Sequence, residues 1–125
     1  MTVAWRVPGR IEVLGKHTDY AGGNVLVCAV DRGVNAQAEE CPGDAVIARS
    51  DGFADPVILQ AGVDASLPAG HWGRYLQTVV DRLAQNFGPL RGTHLSLTSD
   101  LPMASGMSSS SALVVAAALA LADIN

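Results

Sequence analysis

Aromatic side chains are scarce in this sequence: Trp, Tyr and Phe together make up 5% of its 125 residues. A core of stacked rings is excluded, and Val, Leu, Ala and Ile must fill the interior. Charge is thin as well, at 16% Asp, Glu, Lys and Arg against 49% apolar residues, with a formal net charge of −4. No basic run occurs, which argues against nucleic acid or an anionic membrane surface as a partner. The two cysteines, Cys28 and Cys41, are too few for the disulfide framework of a small secreted domain, and neither stands at zinc-site spacing to a histidine. Cys28 lies in the apolar run Val-Leu-Val-Cys-Ala-Val, 25–30, and reads as a buried thiol. The N-terminus contains no signal-peptide stretch, and the longest apolar run, 112–122, is too short to span a bilayer. These absences leave a soluble, cytoplasmic, globular protein as the expectation.

What is present alternates between two periods. Residues 10–14, 25–30, 33–41, 45–49, 57–60 and 93–98 read as strands, with Pro8-Gly9 and Pro42-Gly43-Asp44 as turns. Residues 71–87 place Trp72, Tyr75, Leu76, Val79, Val80 and Leu83 at helical spacing, and Gly88-Pro89 stops the helix. A second helix is expected over 108–123. Strands, helix, strand, helix predict an α+β domain with antiparallel pairing at its start. There is no internal repeat and no linker. The chain stops directly after an apolar helix, which leads us to expect a truncated domain.

Three segments carry chemistry. In Pro102-Met-Ala-Ser-Gly-Met-Ser-Ser-Ser-Ser-Ala-Leu113, Gly106 permits a tight bend and serines open a helix. The first N–H groups of that helix and its dipole form an anion site, and serine hydroxyls suit phosphate or Mg²⁺. A plain serine cap before a core helix has the same look. No Walker-type Gly-x-x-x-x-Gly-Lys loop is present. In the polar segment 8–20, Asp19 can accept from two hydroxyls and His17 can donate or accept, which suits a sugar; a solvated turn is the plainer reading. Arg10 is a permanent cation suited to a transferring phosphoryl group. Trp72 and Tyr75 share one helical face, as core residues or as part of a binding pocket.

Segment 102–113 resembles the phosphate loop of the galactokinase, homoserine kinase and mevalonate kinase (GHMP) superfamily, Pro-x-x-x-Gly-[Leu/Ile/Met]-x-Ser-Ser-[Ala/Ser]. Segment 8–20 resembles the galactokinase signature at Gly9, Arg10, Ile11, Leu14, Gly15, His17, Thr18, Asp19 and Tyr20. Trp72 and Tyr75 resemble the galactokinase Trp-x-Asn-Tyr-Val segment, with Arg74 in place of the asparagine. The resemblance implies a partial GHMP N-terminal domain over 1–125, a mixed or antiparallel sheet packed by helices. It implies ATP, Mg²⁺ and a small sugar as ligands, and transfer of the γ-phosphoryl group to the anomeric hydroxyl. It assigns transition-state support to Arg10, sugar contacts to Lys16, His17, Thr18, Asp19 and Tyr20, and adenine contacts to Trp72 and Tyr75. Phosphate contacts fall to Gly106, Met107, Ser108, Ser109, Ser110 and Ser111, with Ser109 on the metal side. The family's catalytic aspartate lies well downstream, and its C-terminal GHMP domain closes the site; neither is expected in these residues, since Asp100 and Asp123 do not match that aspartate's position. The chain alone is therefore expected to be inactive. A galactokinase-like sensor acting through a protein partner is the alternative. Two positions depart from the signature: Glu12 stands for asparagine, and Lys16 for the acid that contacts the far hydroxyl of the sugar. Glu12 and Lys16 either neutralise each other or mark a changed substrate, such as a sugar bearing a carboxylate.

Overall fold

Alternation decides the central strands. In Val-Asn-Ala-Gln-Ala-Glu, 34–39, every apolar residue is buried and every polar one exposed, because successive side chains point to opposite faces. The computed structural model describes residues 1–102 and 109–125. Its elements are β1 (Thr2–Leu14), β2 (Leu26–Glu40), β3 (Val46–Ser50), β4 (Val57–Leu59), α1 (Gly73–Phe87), β5 (Thr93–Ser99) and α2 (Ser109–Ile124). They form the expected α+β domain around one mixed sheet of order β1-β2-β5-β3-β4. β1, β2 and β5 pair antiparallel in turn, β5 runs parallel to β3, and β4 returns antiparallel on β3.

Both helices lie on one face of the sheet. α2 packs across β1 and β2, and α1 packs against α2 and β4. The seam of α2 is lined by Ala112, Ala116, Ala117 and Ala120, followed by Leu121 and Ile124, all buried. Its C-terminal end is pinned twice. The Asn125 amide donates to Leu121 O at 2.7 Å and its Oδ1 accepts from Arg91 N at 2.6 Å, while Trp5 Nε1 donates to Asp123 at 3.2 Å. α1 turns Leu76, Val79 and Val80 into the core, as its periodicity predicts.

The first two strands differ from the sequence-based expectation. Pro8-Gly9 does not turn the chain. β1 runs through it, and the ladder shifts register between Pro8 and Arg10. Two residues along β1 there match four along β2, so the extra residues lie on β2, and β1 tolerates the proline as an edge strand beside that irregularity. Opposite lies Gly33, where an added Cβ would stand 2.3 Å from Val7 O. Only glycine admits that approach, and it lets β2 continue as a single strand where two were expected.

β5 pairs with β2 only from Val34 onward. Among the described residues, 26–29 of β2 therefore have β1 as their only strand partner, and the pair extends as a two-stranded ribbon. Ile11, Val13, Leu14, Leu26 and Val27 are exposed on it. Cys28 is exposed as well, contrary to the expectation of a buried thiol. Its run is apolar enough for a core, but the ladder with β5 ends at Val34, short of it.

Candidate functional site

The polar segment forms the tip of the ribbon, and backbone geometry closes it. Gly15 has φ +90°, and an added Cβ would lie 2.5 Å from Asn24 O. Thr18 N donates to Gly15 O at 3.0 Å, and the Thr18 hydroxyl donates to the same carbonyl at 2.7 Å. Gly22 N and Gly23 N donate to Asp19 O and Thr18 O, closing a single 3-10 turn over Thr18–Ala21. The Thr18 hydroxyl thus serves the loop itself. Lys16, His17, Asp19 and Tyr20 are exposed on it, and the His17 and Tyr20 rings stack with centroids 5.5 Å apart. His17 adopts φ 66°, a left-handed conformation uncommon outside glycine. Among the described residues neither Lys16 nor Glu12 enters an ion pair.

Ser109, Ser110 and Ser111 are exposed in the first turn of α2. There the first N–H groups and the positive end of a 16-residue helix dipole converge. Ser110 and Ser111 line a cavity of about 350 Å³ with Tyr75, Val114 and Val115. The two aromatic residues of α1 separate here. Tyr75 is 46% exposed and forms one wall, whereas Trp72 is 8% exposed and its indole packs against Phe53 and His71. Gly106, Met107 and Ser108 lie outside the described residues.

One residue that the motifs did not single out ties these parts together. Asp100 follows β5 directly. Its Oδ1 accepts from Gly33 N at 2.7 Å, its N–H donates to Gly33 O at 3.2 Å, and its Oδ2 lies 3.5 Å from Arg6 Nη2. The Gly33 hydrogen bond, helped by the Arg6 charge, holds the Asp100 carboxyl below its ordinary value of 3.8. A carboxylate placed where a strand gives way to a serine-rich segment was the available sequence signal.

The strand registers place the parts relative to one another. Thr2 of β1 sits level with Glu39, and Glu39 with His94, so the start of β1 and the start of β5 share one end of the sheet. The C-terminal end of α2 is pinned at that end through Trp5 and Arg91. Pro8 pairs with Gly33, beside Val34 and Ser99, at the opposite end. Arg10, Asp100 and the start of α2 therefore lie at the same end, and the ribbon carries loop 15–24 beyond it.

Comparison with known proteins agrees with this arrangement. Residues 2–39 match the galactokinase galactose-binding signature, and residues 74–125 match the GHMP kinases N-terminal domain. The chain is 36% identical to the galactokinase of Chloroflexus aurantiacus over 111 residues, covering 89% of this chain and 28% of that protein. It is 35% identical to the galactokinase of Streptomyces coelicolor over 121 residues, covering 96% of this chain and 31% of that protein. The crystal structure of Lactococcus lactis galactokinase complexed with galactose superposes with a TM-score of 0.88 at 25% identity, over 98% of this chain and 32% of that one. The chain resembles the GHMP kinases and has their N-terminal fold. Within them it is galactokinase-like, and it spans under a third of the length of these relatives.

Proposed function

We propose that this chain is the front portion of an ATP-dependent sugar kinase, which moves the γ-phosphoryl group to a sugar hydroxyl, the anomeric hydroxyl of galactose or a related sugar. The observation that carries this reading is the gathering of three unlike chemistries at one end of the sheet. The start of α2 offers N–H groups and serine hydroxyls beside Tyr75, Arg10 offers a fixed cation, and the ribbon tip offers His17, Asp19 and Lys16. Such a reaction needs little covalent help from the protein; positioning and charge stabilisation supply most of the acceleration.

In this reading the sugar oxygen attacks the γ-phosphorus, and the bond to the β–γ bridging oxygen breaks. Arg10 offsets charge on the transferring group. Ser110, Ser111 and the α2 amides hold phosphate oxygens, as do Gly106, Met107 and Ser108, while Tyr75 faces the base. Trp72, placed in the core, secures the start of α1. His17, Asp19 and Lys16 orient the sugar, on a loop shaped by Thr18 and flanked by Tyr20. Ser109 would offer an oxygen to Mg²⁺, which when bound would supply charge neutralisation. Among the described residues no cluster of three or more His, Cys, Asp or Glu could hold a metal. No general base is assigned among these residues, and turnover is expected to require one from outside them.

The test is a thermal-shift series on the chain with ATP–Mg²⁺ and with galactose, galacturonate and galactosamine. A ligand of the native state raises the melting temperature. ATP–Mg²⁺ and at least one sugar should each raise it. The Lys16 ammonium should favour galacturonate over galactosamine, and Lys16→Glu should reverse that order. No shift with any nucleotide or sugar would refute the reading.

A further inference from the structure

The polar contacts around Asp100 are denser than strand termination requires. Its N–H, its carbonyl and both carboxylate oxygens all engage the first two strands. Besides the contacts with Gly33 and Arg6, the Asp100 carbonyl accepts from Arg32 Nη1 at 3.4 Å. Arg6 is itself held, donating to Asn35 Oδ1 and to Asp31 O, each at 3.1 Å. Just beyond, Leu101 is buried and its N–H donates to Ser99 Oγ at 3.2 Å. The β2–β5 ladder stops at Val34 and Ser99, and the Asp100 carboxylate takes the Gly33 N–H that the next ladder position would otherwise have faced. A side chain thus replaces the strand partner where the main chain leaves the sheet. At its other end α2 is fixed to Trp5 and Arg91.

We propose that Asp100 is a positioning residue for the nucleotide site: clipped to Gly33 and Arg6, it fixes the point at which the serine-rich segment leaves the sheet, and so the place of the first α2 turn relative to β1 and Arg10. The inference rests on the reading of that turn as the phosphate site. Gly33 is the shared part. Its missing Cβ admits the close approach of Val7 and Pro8, just where β2 carries extra residues before β1 reaches Arg10, and it is also the anchor of the Asp100 carboxylate. One backbone position therefore sets both sides of the proposed cleft.

The test compares Asp100→Ala, Asp100→Asn and Arg6→Met with Leu59→Ala, a core change in β4 at the far side of the sheet. The readouts are amide hydrogen exchange and calorimetric affinity for ATP–Mg²⁺. Asp100→Ala should speed exchange at Leu101 and over 109–112, and weaken ATP–Mg²⁺ binding, each by roughly three- to tenfold after allowance for solvent exposure. Asp100→Asn keeps an oxygen for Gly33 N and should recover part of both effects. Leu59→Ala should lower the melting temperature at least as far while changing neither local exchange nor affinity. Exchange and affinity that follow melting temperature across all four variants, or an Asp100→Ala chain that binds ATP–Mg²⁺ unchanged, would overturn the positioning role. A wild-type chain that binds no ATP–Mg²⁺ would instead overturn the phosphate-site reading on which it rests.

Discussion

β1 and β2 keep one antiparallel pairing through two environments. From 34 to 40, β2 has β1 on one side, β5 on the other and α2 above it. From 26 to 29 its only strand partner among the described residues is β1. The covered part has the sequence Val-Asn-Ala-Gln-Ala-Glu-Glu, half polar, and buries its apolar side chains almost completely; Val34 is 2% exposed. The uncovered part, Leu-Val-Cys-Ala, is wholly apolar, and Leu26 is 54% exposed. Hydropathy of a run thus says how much a segment gains from being covered, while its neighbours decide whether it is. A two-stranded ribbon has little stability of its own. This one stands because it continues strands already fixed in a sheet.

The comparison breaks most decisively at a pair of leucines. Leu97→Ala, in the covered sheet, should cost about 2–5 kcal/mol in urea denaturation. Leu26→Ala, on the ribbon, should stay within about 0.5 kcal/mol. A similar loss at both would mean that the two parts share one environment. Gly33→Ala, at the junction, should cost roughly 1–3 kcal/mol as an overpacked site, because its Cβ would meet the backbone of Val7 and Pro8 rather than a movable side chain. Proton exchange along residues 10–14 would show the ribbon loosening with it.

Acidity sharpens the contrast at the same junction. The Asp100 carboxyl titrates lower in the folded chain than its ordinary 3.8, so its contribution is complete above that value and is lost as pH falls through the folded value. The melting temperature of the wild type should therefore drop more steeply than that of Asp100→Asn in this acid range. The smallest effect is expected on the ribbon. Cys28 should react with a thiol reagent in the native chain faster than the half-buried Cys41, and Cys28→Ser should shift stability by no more than about 0.5 kcal/mol.

The parts legible in the sequence were those with a local physical signature. Alternation in 34–39 and 93–98 and the helical spacing from Leu76 to Leu83 each gave the right element and the right buried face. The glycine-containing motif identified the loop at 15–24, whereas most of the serine loop lies outside the described residues. The Pro8-Gly9 pair misled because a bulge and a turn use the same residues, and only the strand opposite, with Gly33 in contact, distinguishes them. Cys28 misled because burial depends on how far β5 extends, which no property of 25–30 encodes. Asp100 was seen only as a candidate base and set aside; its partners Gly33 and Arg6 are 67 and 94 positions away along the chain, beyond the reach of any spacing rule.

The alanine seam of α2 has a consequence for how finely the serine end can be set. A helix seated on one-carbon side chains rides close to the strands and has no compressible layer beneath it. Anchored at Asp123 and Asn125, it behaves as a rod hinged at its tail. Ala116 lies about 10 Å from Ser109 along the rod, at 1.5 Å per residue. A single added methylene there would act as a shim, tilting the serine end away from the strands by more than its own thickness.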